Sequence, residues 1–86
     1  MLCWRAAWMA DLEQANEVEA SMAKAFCPAI AQEVASLAVE SLGEAGVRDD
    51  HYVEKLYRDV KAMDIVEGTG QIQRLVMARR LVGLPN

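Results

Sequence analysis

The sequence predicts an all-α protein, an antiparallel bundle of three or four helices. Three observations predict it. Apolar residues recur at three- and four-residue spacing along most of the chain, and no stretch alternates in the way a half-buried strand does. The glycines fall in three places, Gly43 with Gly46, Gly68 with Gly70, and Gly83, which divide the chain into helix-length segments. Apolar side chains make up 53% of the 86 residues, too many for a disordered chain, and the length allows one domain of marginal stability.

Each element follows in order. Residues 2–13 read as one helical stretch, with Trp4 and Trp8 on one face. Asn16 and Glu19 have the spacing of a capping box, with Asn in place of Ser or Thr, so the next helix starts there. Along it Val18, Met22, Phe26, Ile30, Val34 and Leu37 form an apolar stripe, and Gly43 is a C-terminal stop. Pro28 removes a backbone donor and crowds the carbonyl four residues back. The stripe keeps its phase across Pro28, so a kink is expected rather than a break into two helices. Residues 43–51 read as a loop. Asp50 or His51 caps the third helix, whose apolar face is Val53, Leu56, Val60 and Met63. Residues 66–70 break the pattern, because two glycines in three residues disfavour a helix interior. Thr69 then caps a last helix with Ile72, Leu75, Val76 and Val82 facing inward, and Gly83 and Pro85 end it.

Composition excludes several function classes. Net charge is −4 and uneven: residues 1–50 hold three basic and nine acidic side chains, residues 51–86 six basic and four acidic. An acidic chain is a poor general partner for nucleic acid. The basic half reads first as an ordinary solvated helix surface, with a phosphate-bearing ligand as the alternative. The longest apolar run, Ala6–Ala10, is far short of the roughly 20 residues a membrane span requires. No signal-peptide pattern opens the chain, which points to the cytoplasm, or to the mitochondrial matrix in a eukaryote. Cys3 and Cys27 lie 24 residues apart with no CxxC and no nearby His, so the expectation is two free thiols and no metal site.

Few residues present themselves as chemistry. His51 is the one histidine, without a Glu-x-x-His partner, and suits a cap better than a ligand. No Ser-His-Asp or Cys-His set is visible. Gly68-Thr69-Gly70 lacks the preceding strand and third glycine of a dinucleotide loop. The Met residues and both tryptophans suit core or interface packing. Glu67 stands out. It lies where glycines let the backbone turn, directly before a helix whose first amides are free to donate. On the residues alone, that carboxylate serves equally as a helix-end charge favoured by the dipole.

The stretch from Tyr52 to Arg80, with VEKLYRD at 53–59 and EGTGQIQR at 67–74, closely resembles the end of the acyl-CoA dehydrogenases. RAAW at 5–8, ASMAKAF at 20–26 and the Leu42-Gly43-x-x-Gly46 segment fall in that family's order and spacing. The resemblance spans the whole chain and is most specific over residues 52–83. It implies that residues 1–86 are part of a C-terminal four-helix bundle, its last three or so helices. The N-terminal helical domain, the middle β-domain and about one bundle helix of the family's full chain then lie outside this sequence. The implied reaction is α,β-dehydrogenation of an acyl-CoA thioester, with FAD as cofactor.

In the short- and medium-chain branch the glutamate of the EGT motif, here Glu67, removes the α-proton. A glutamate titrates near 4.3 in water, and burial against an acyl chain raises a carboxylate toward the ~6–7 suited to base catalysis. The resemblance makes the Glu67 amide a donor to the thioester oxygen, beside the flavin's ribityl chain. Gly68 leaves room for the substrate. Thr69, Gly70, Gln71 and Gly43 match positions that contact FAD, Gly43 toward a neighbouring subunit's flavin. It also implies an electron-transfer protein as reoxidant and a homo-oligomer, a tetramer in the family. Three positions depart from the pattern. Val66 replaces a frequent aromatic residue, which widens or loosens the site. Glu40 and Glu44 stand where a Gln and a second Gly are common, and a carboxylate facing a pyrophosphate is repulsive. The alternative is a non-catalytic helical module that pairs with a longer subunit. The 86-residue chain alone is expected to bind FAD weakly, to be inactive, and to self-associate through an apolar groove lined by Val53, Leu56, Val60, Met63 and Trp4 or Trp8.

Overall fold

The computed structural model describes residues 1–85. It holds α1 (Leu2–Asp11), α2 (Glu17–Leu42), a 3-10 turn (Gly43–Val47), α3 (Tyr52–Ile65) and α4 (Gly70–Val82), with no strand among the described residues. Helix α1 stops when Glu13 takes a left-handed conformation, φ 53°, and the Gln14 amide returns to the Met9 carbonyl at 2.9 Å. Asn16 then begins α2, but not as the expected capping box. Its side chain makes no capping bond, and its Nδ2 donates to the Ala6 carbonyl at 2.8 Å. A tertiary partner outcompeted the local one, and Asn16 ties α2 to α1. Arg5 and Glu19 add a second link at 3.4 Å.

Helix α2 runs unbroken through Pro28, as the continuous stripe implied. Its 26 residues make a rod of roughly 39 Å, at 1.5 Å per residue. The other helices are laid along this rod. Cys3 meets Cys27 while Asn16 meets Ala6, so α1 runs antiparallel to the first half of α2. Lys24 reaches the end of α3, and Arg80 of α4 pairs with Glu17 at 2.6 Å. Helices α3 and α4 are therefore placed end to end along α2, both antiparallel to it. Each packs extensively on α2, whereas the two scarcely touch one another. The result is elongated, 50 × 25 × 18 Å.

His51 caps α3, its Nδ1 accepting from the Val53 amide at 3.2 Å. Thr69 caps α4, its hydroxyl accepting from the Ile72 amide at 3.3 Å. Gly83, with φ 73°, ends α4, and the Leu84 amide returns to the Arg79 carbonyl. Residues 43–51 are more ordered than a plain loop, because Gly46 lies directly against α2. A Cβ there would sit 2.6 Å from the Val39 carbonyl oxygen.

The buried residues are small: Ala6, Ala23, Ala25, Ala35 and Ser21. Among the described residues no large side chain is fully buried. This corrects the expected apolar faces. On α2, Phe26, Ile30, Val34 and Leu37 are exposed, while Ser21, Ala25, Pro28 and Ala35 face the other helices. On α4, Ile72, Leu75 and Val82 are exposed and only Val76 is partly covered. On α3, Val53 and Val60 are half-buried, with Leu56 and Met63 more open. Periodicity tells which residues share a helix face, not which face the neighbouring helices occupy. Here the contacts use the faces with small side chains, where helix axes approach closely.

Candidate functional site

The joint between α3 and α4 is a four-residue turn, 66–69, beside the first half of α2. Val66 leaves α3 in extended conformation, φ −69° and ψ 150°, its amide returning to the Ala62 carbonyl at 3.0 Å. Glu67 then turns left-handed, φ 56°, and Gly68 follows at φ 94°. A glutamate with positive φ is uncommon, and held strain of this kind clusters at functional sites. The sequence suggested that the two glycines make the turn. In fact Glu67 itself and Gly68 do so, and Gly70 is already the first residue of α4.

Several contacts hold this geometry. Lys24 Nζ donates to the Met63 carbonyl at 2.6 Å and to the Gly68 carbonyl at 3.1 Å. Gln73 Nε2 lies 3.5 Å from the Glu67 carbonyl, in donating position. Gly70 is buried, and a Cβ on it would meet Asp64 Oδ1 at 2.7 Å and the Arg74 guanidinium at 3.2 Å. Both are the ends of flexible side chains, which would have to shift for a larger residue at 70. Among the described residues no backbone carbonyl accepts from the Glu67 amide. The Glu67 side chain is exposed, at the edge of a cleft of about 520 Å³ whose walls include Ala23, Lys24, Cys27, Pro28, Met63 and Val66. No ion pair joins Lys24 to Glu67 among the described residues, so the carboxylate is free of its nearest cation in that cleft.

Thr69, Gly70 and Gln71 sit together at the start of α4. The first amides of the helix point away from it, Gln71 is exposed, and the Thr69 hydroxyl spends its acceptor on Ile72. Thr69 is half-buried and Gly70 buried. Gly43, with φ 59°, lies at the far end of α2, roughly 28 Å along the axis from Lys24. Within one chain Gly43 and the Glu67 turn do not form one patch. Glu40 and Glu44 are also exposed near that far end.

Two features were not read from the sequence. Lys24, inside the ASMAKAF stretch, is the one basic residue between Arg5 and Arg48, a signal that asks what it neutralises. Cys3 and Cys27 bring their sulfurs to 3.5 Å, a pairing that their separation along the chain gave no means of seeing. The hydrogen bond shared with Cys3, with some burial, pushes the Cys27 thiol up.

The description "Acyl-CoA dehydrogenase, C-terminal domain" matches residues 1–82. The chain belongs to the acyl-CoA dehydrogenase family. Among curated relatives, it is 40% identical over 78 residues to the probable acyl-CoA dehydrogenase YngJ of Bacillus subtilis, covering 91% of this chain and 20% of that protein. It is 40% identical over 81 residues to the cyclohexane-1-carbonyl-CoA dehydrogenase of Geobacter metallireducens, covering 94% and 21%. It is 37% identical over 82 residues to the mitochondrial short-chain specific acyl-CoA dehydrogenase of Rattus norvegicus, covering 95% and 20%. The chain therefore spans about a fifth of the length of the curated relatives it matches. The helical bundle is the part of the chain that matches the family's C-terminal domain. No described helix is long and apolar enough to cross a membrane.

Proposed function

We propose that this segment supplies the base for α,β-dehydrogenation of an acyl-CoA thioester, and that the base is Glu67. The observation that carries the reading is the left-handed Glu67 at the joint of α3 and α4, with its carboxylate exposed and its amide unclaimed by any backbone carbonyl. One residue thus offers an acceptor for a proton and a donor for an oxygen. The carboxylate takes the α-proton, and the amide donates to the thioester oxygen as negative charge develops there. Gly68, at φ 94°, is the residue type its backbone requires, and a Cβ on it would meet Gln73 Nε2 at 2.7 Å. Thr69, Gly70 and Gln71 would hold FAD at the start of α4, and the bound flavin would supply the acceptor for the β-hydrogen leaving as hydride.

Gly43 lies too far along α2 to join that patch, which supports its service to a second flavin in an adjacent subunit. The reading carries with it a homo-oligomer, tetrameric as in the family, and an electron-transfer protein that reoxidises the flavin. The test is Glu67→Gln in the protein that carries this segment together with the rest of the family's chain. Flavin reduction by acyl-CoA, followed in a single turnover, is expected to fall by several orders of magnitude. A normal rate removes Glu67 from the role.

A second reading has its own support. The exposed stripe of Phe26, Ile30, Val34 and Leu37 suits a helical module that pairs with a longer subunit and performs no chemistry. Loss of flavin reduction in the Glu67→Gln protein decides against it. In either case the 86-residue chain alone is expected to hold FAD weakly. A few hydrogen bonds near 1 kcal/mol each do not offset several kcal/mol of lost freedom on binding. Flavin titration by fluorescence checks this, and micromolar affinity in a monomer contradicts it.

A further inference from the structure

We infer that Lys24 is the positioning residue for Glu67, holding the turn in the conformation that presents both its carboxylate and its amide. This rests on the reading of Glu67 as base. The two carbonyls that Lys24 binds bracket Glu67 in sequence: Met63 four residues before it at 2.6 Å, Gly68 one residue after it at 3.1 Å. A single ammonium thus fixes the last turn of α3 and the exit from the left-handed pair. It also answers an electrostatic deficit. Helix C-termini favour a cation, and α3 carries no basic residue in its last turn. Lys24 supplies that charge from α2, where it is the only basic side chain.

The remaining support for the turn is local. The Gln73 amide reaches the Glu67 carbonyl at the long distance of 3.5 Å, and Thr69 caps α4 beyond it. Neither ties the turn to α2. Without Lys24, the Glu67 backbone keeps no hydrogen-bonded anchor on the rod that sets its position, and it relaxes toward the more populated right-handed or extended regions. The ammonium spends its donors on carbonyls and forms no ion pair with Glu67, so it orients the base without occupying it.

The experiment uses the flavin-loaded protein that contains this segment. Lys24→Met, Lys24→Arg and Glu67→Gln are compared by single-turnover flavin reduction at increasing acyl-CoA. Lys24→Met is expected to slow the reduction step about 10- to 100-fold, as small misplacements of a reacting group do. The acyl-CoA concentration at half-saturation should change little, and Lys24→Arg should restore most of the rate. Amide hydrogen exchange at residues 67–69 should quicken in Lys24→Met while α2 stays protected.

An unchanged rate in Lys24→Met, with Glu67→Gln inactive, overturns the role of Lys24 and leaves the base in place. A normal rate in Glu67→Gln overturns the reading beneath it. Rate loss that Arg does not rescue, accompanied by loss of bound flavin, reduces Lys24 to a structural residue and also overturns the inference. Should Lys24→Met fail to load flavin, Lys24→Gln takes its place, since it keeps donors but loses the charge and reach, and it is judged by the same outcomes.

Discussion

The two faces of α2 make a sharp contrast. The inward face presents Ser21, Ala25, Pro28 and Ala35, and the outward face presents Phe26, Ile30, Val34 and Leu37. Small residues let three helices approach one rod closely, but they remove little apolar area from water, and burial contributes only about 25 cal/mol per Å². The residues that could contribute most are those left open. The inward face therefore fixes the arrangement, whereas the outward face holds unspent capacity for association with further surface.

That contrast can be broken at four points. The largest effect should come from crowding the inward face. Gly46→Ala drives a methyl into the Val39 carbonyl, and Ala25→Leu forces α2 away from its neighbours. Each is expected to destabilise by about 1–3 kcal/mol, as overpacking does, read as a lower urea midpoint. Next is the tie between α1 and α2. Asn16→Ala removes the bond to the Ala6 carbonyl and should cost about 1 kcal/mol by the same measurement. An unchanged midpoint would show that α1 is held by other contacts.

The outward face should behave differently. Phe26→Ser or Val34→Ser should change the stability of the monomer by no more than about 0.5 kcal/mol, the usual range for surface positions. In sedimentation the same variants should shift the chain toward monomer. A large stability loss with no change in mass would mean that this stripe is core after all. The smallest effect concerns the thiols. Cys3 holds the Cys27 thiol above its ordinary range, so Cys3→Ala lowers the pKa of Cys27 and raises its thiolate fraction at mildly alkaline pH. Alkylation of Cys27 near pH 8 should then quicken modestly, and an unaltered rate argues against the contact.

Much of this molecule was legible in the sequence, for identifiable reasons. The helix start at Thr69 and the stops at Gly43 and Gly83 are written in local chemistry, as is the start of α3, where Asp50 and His51 both qualified and His51 is the cap. Asn16 misled because its amide had a better partner ten residues back than its own helix offered. The apolar stripes misled because spacing defines a face without saying what meets it. The turn at 66–69 was marked by its glycines and by the family resemblance. That Glu67 itself adopts positive φ was not visible, since local sequence favours glycine there and only the surrounding contacts hold a glutamate in it. Lys24 was hidden because its partners are backbone carbonyls, which leave no trace in residue identity.

The end-to-end placement of α3 and α4 turns helix length into a ruler. Counting from the His51 cap, the 14 residues of α3 measure out where along α2 the turn will fall. One added residue would advance Glu67 by about 1.5 Å and swing it by about 100° around the axis of α3. No compensating slack exists, because the cap fixes one end and Lys24 the other. Substitutions on the solvent side of α3 should then be freely accepted, whereas any change in its residue count should put the carboxylate out of phase with the cleft beside it.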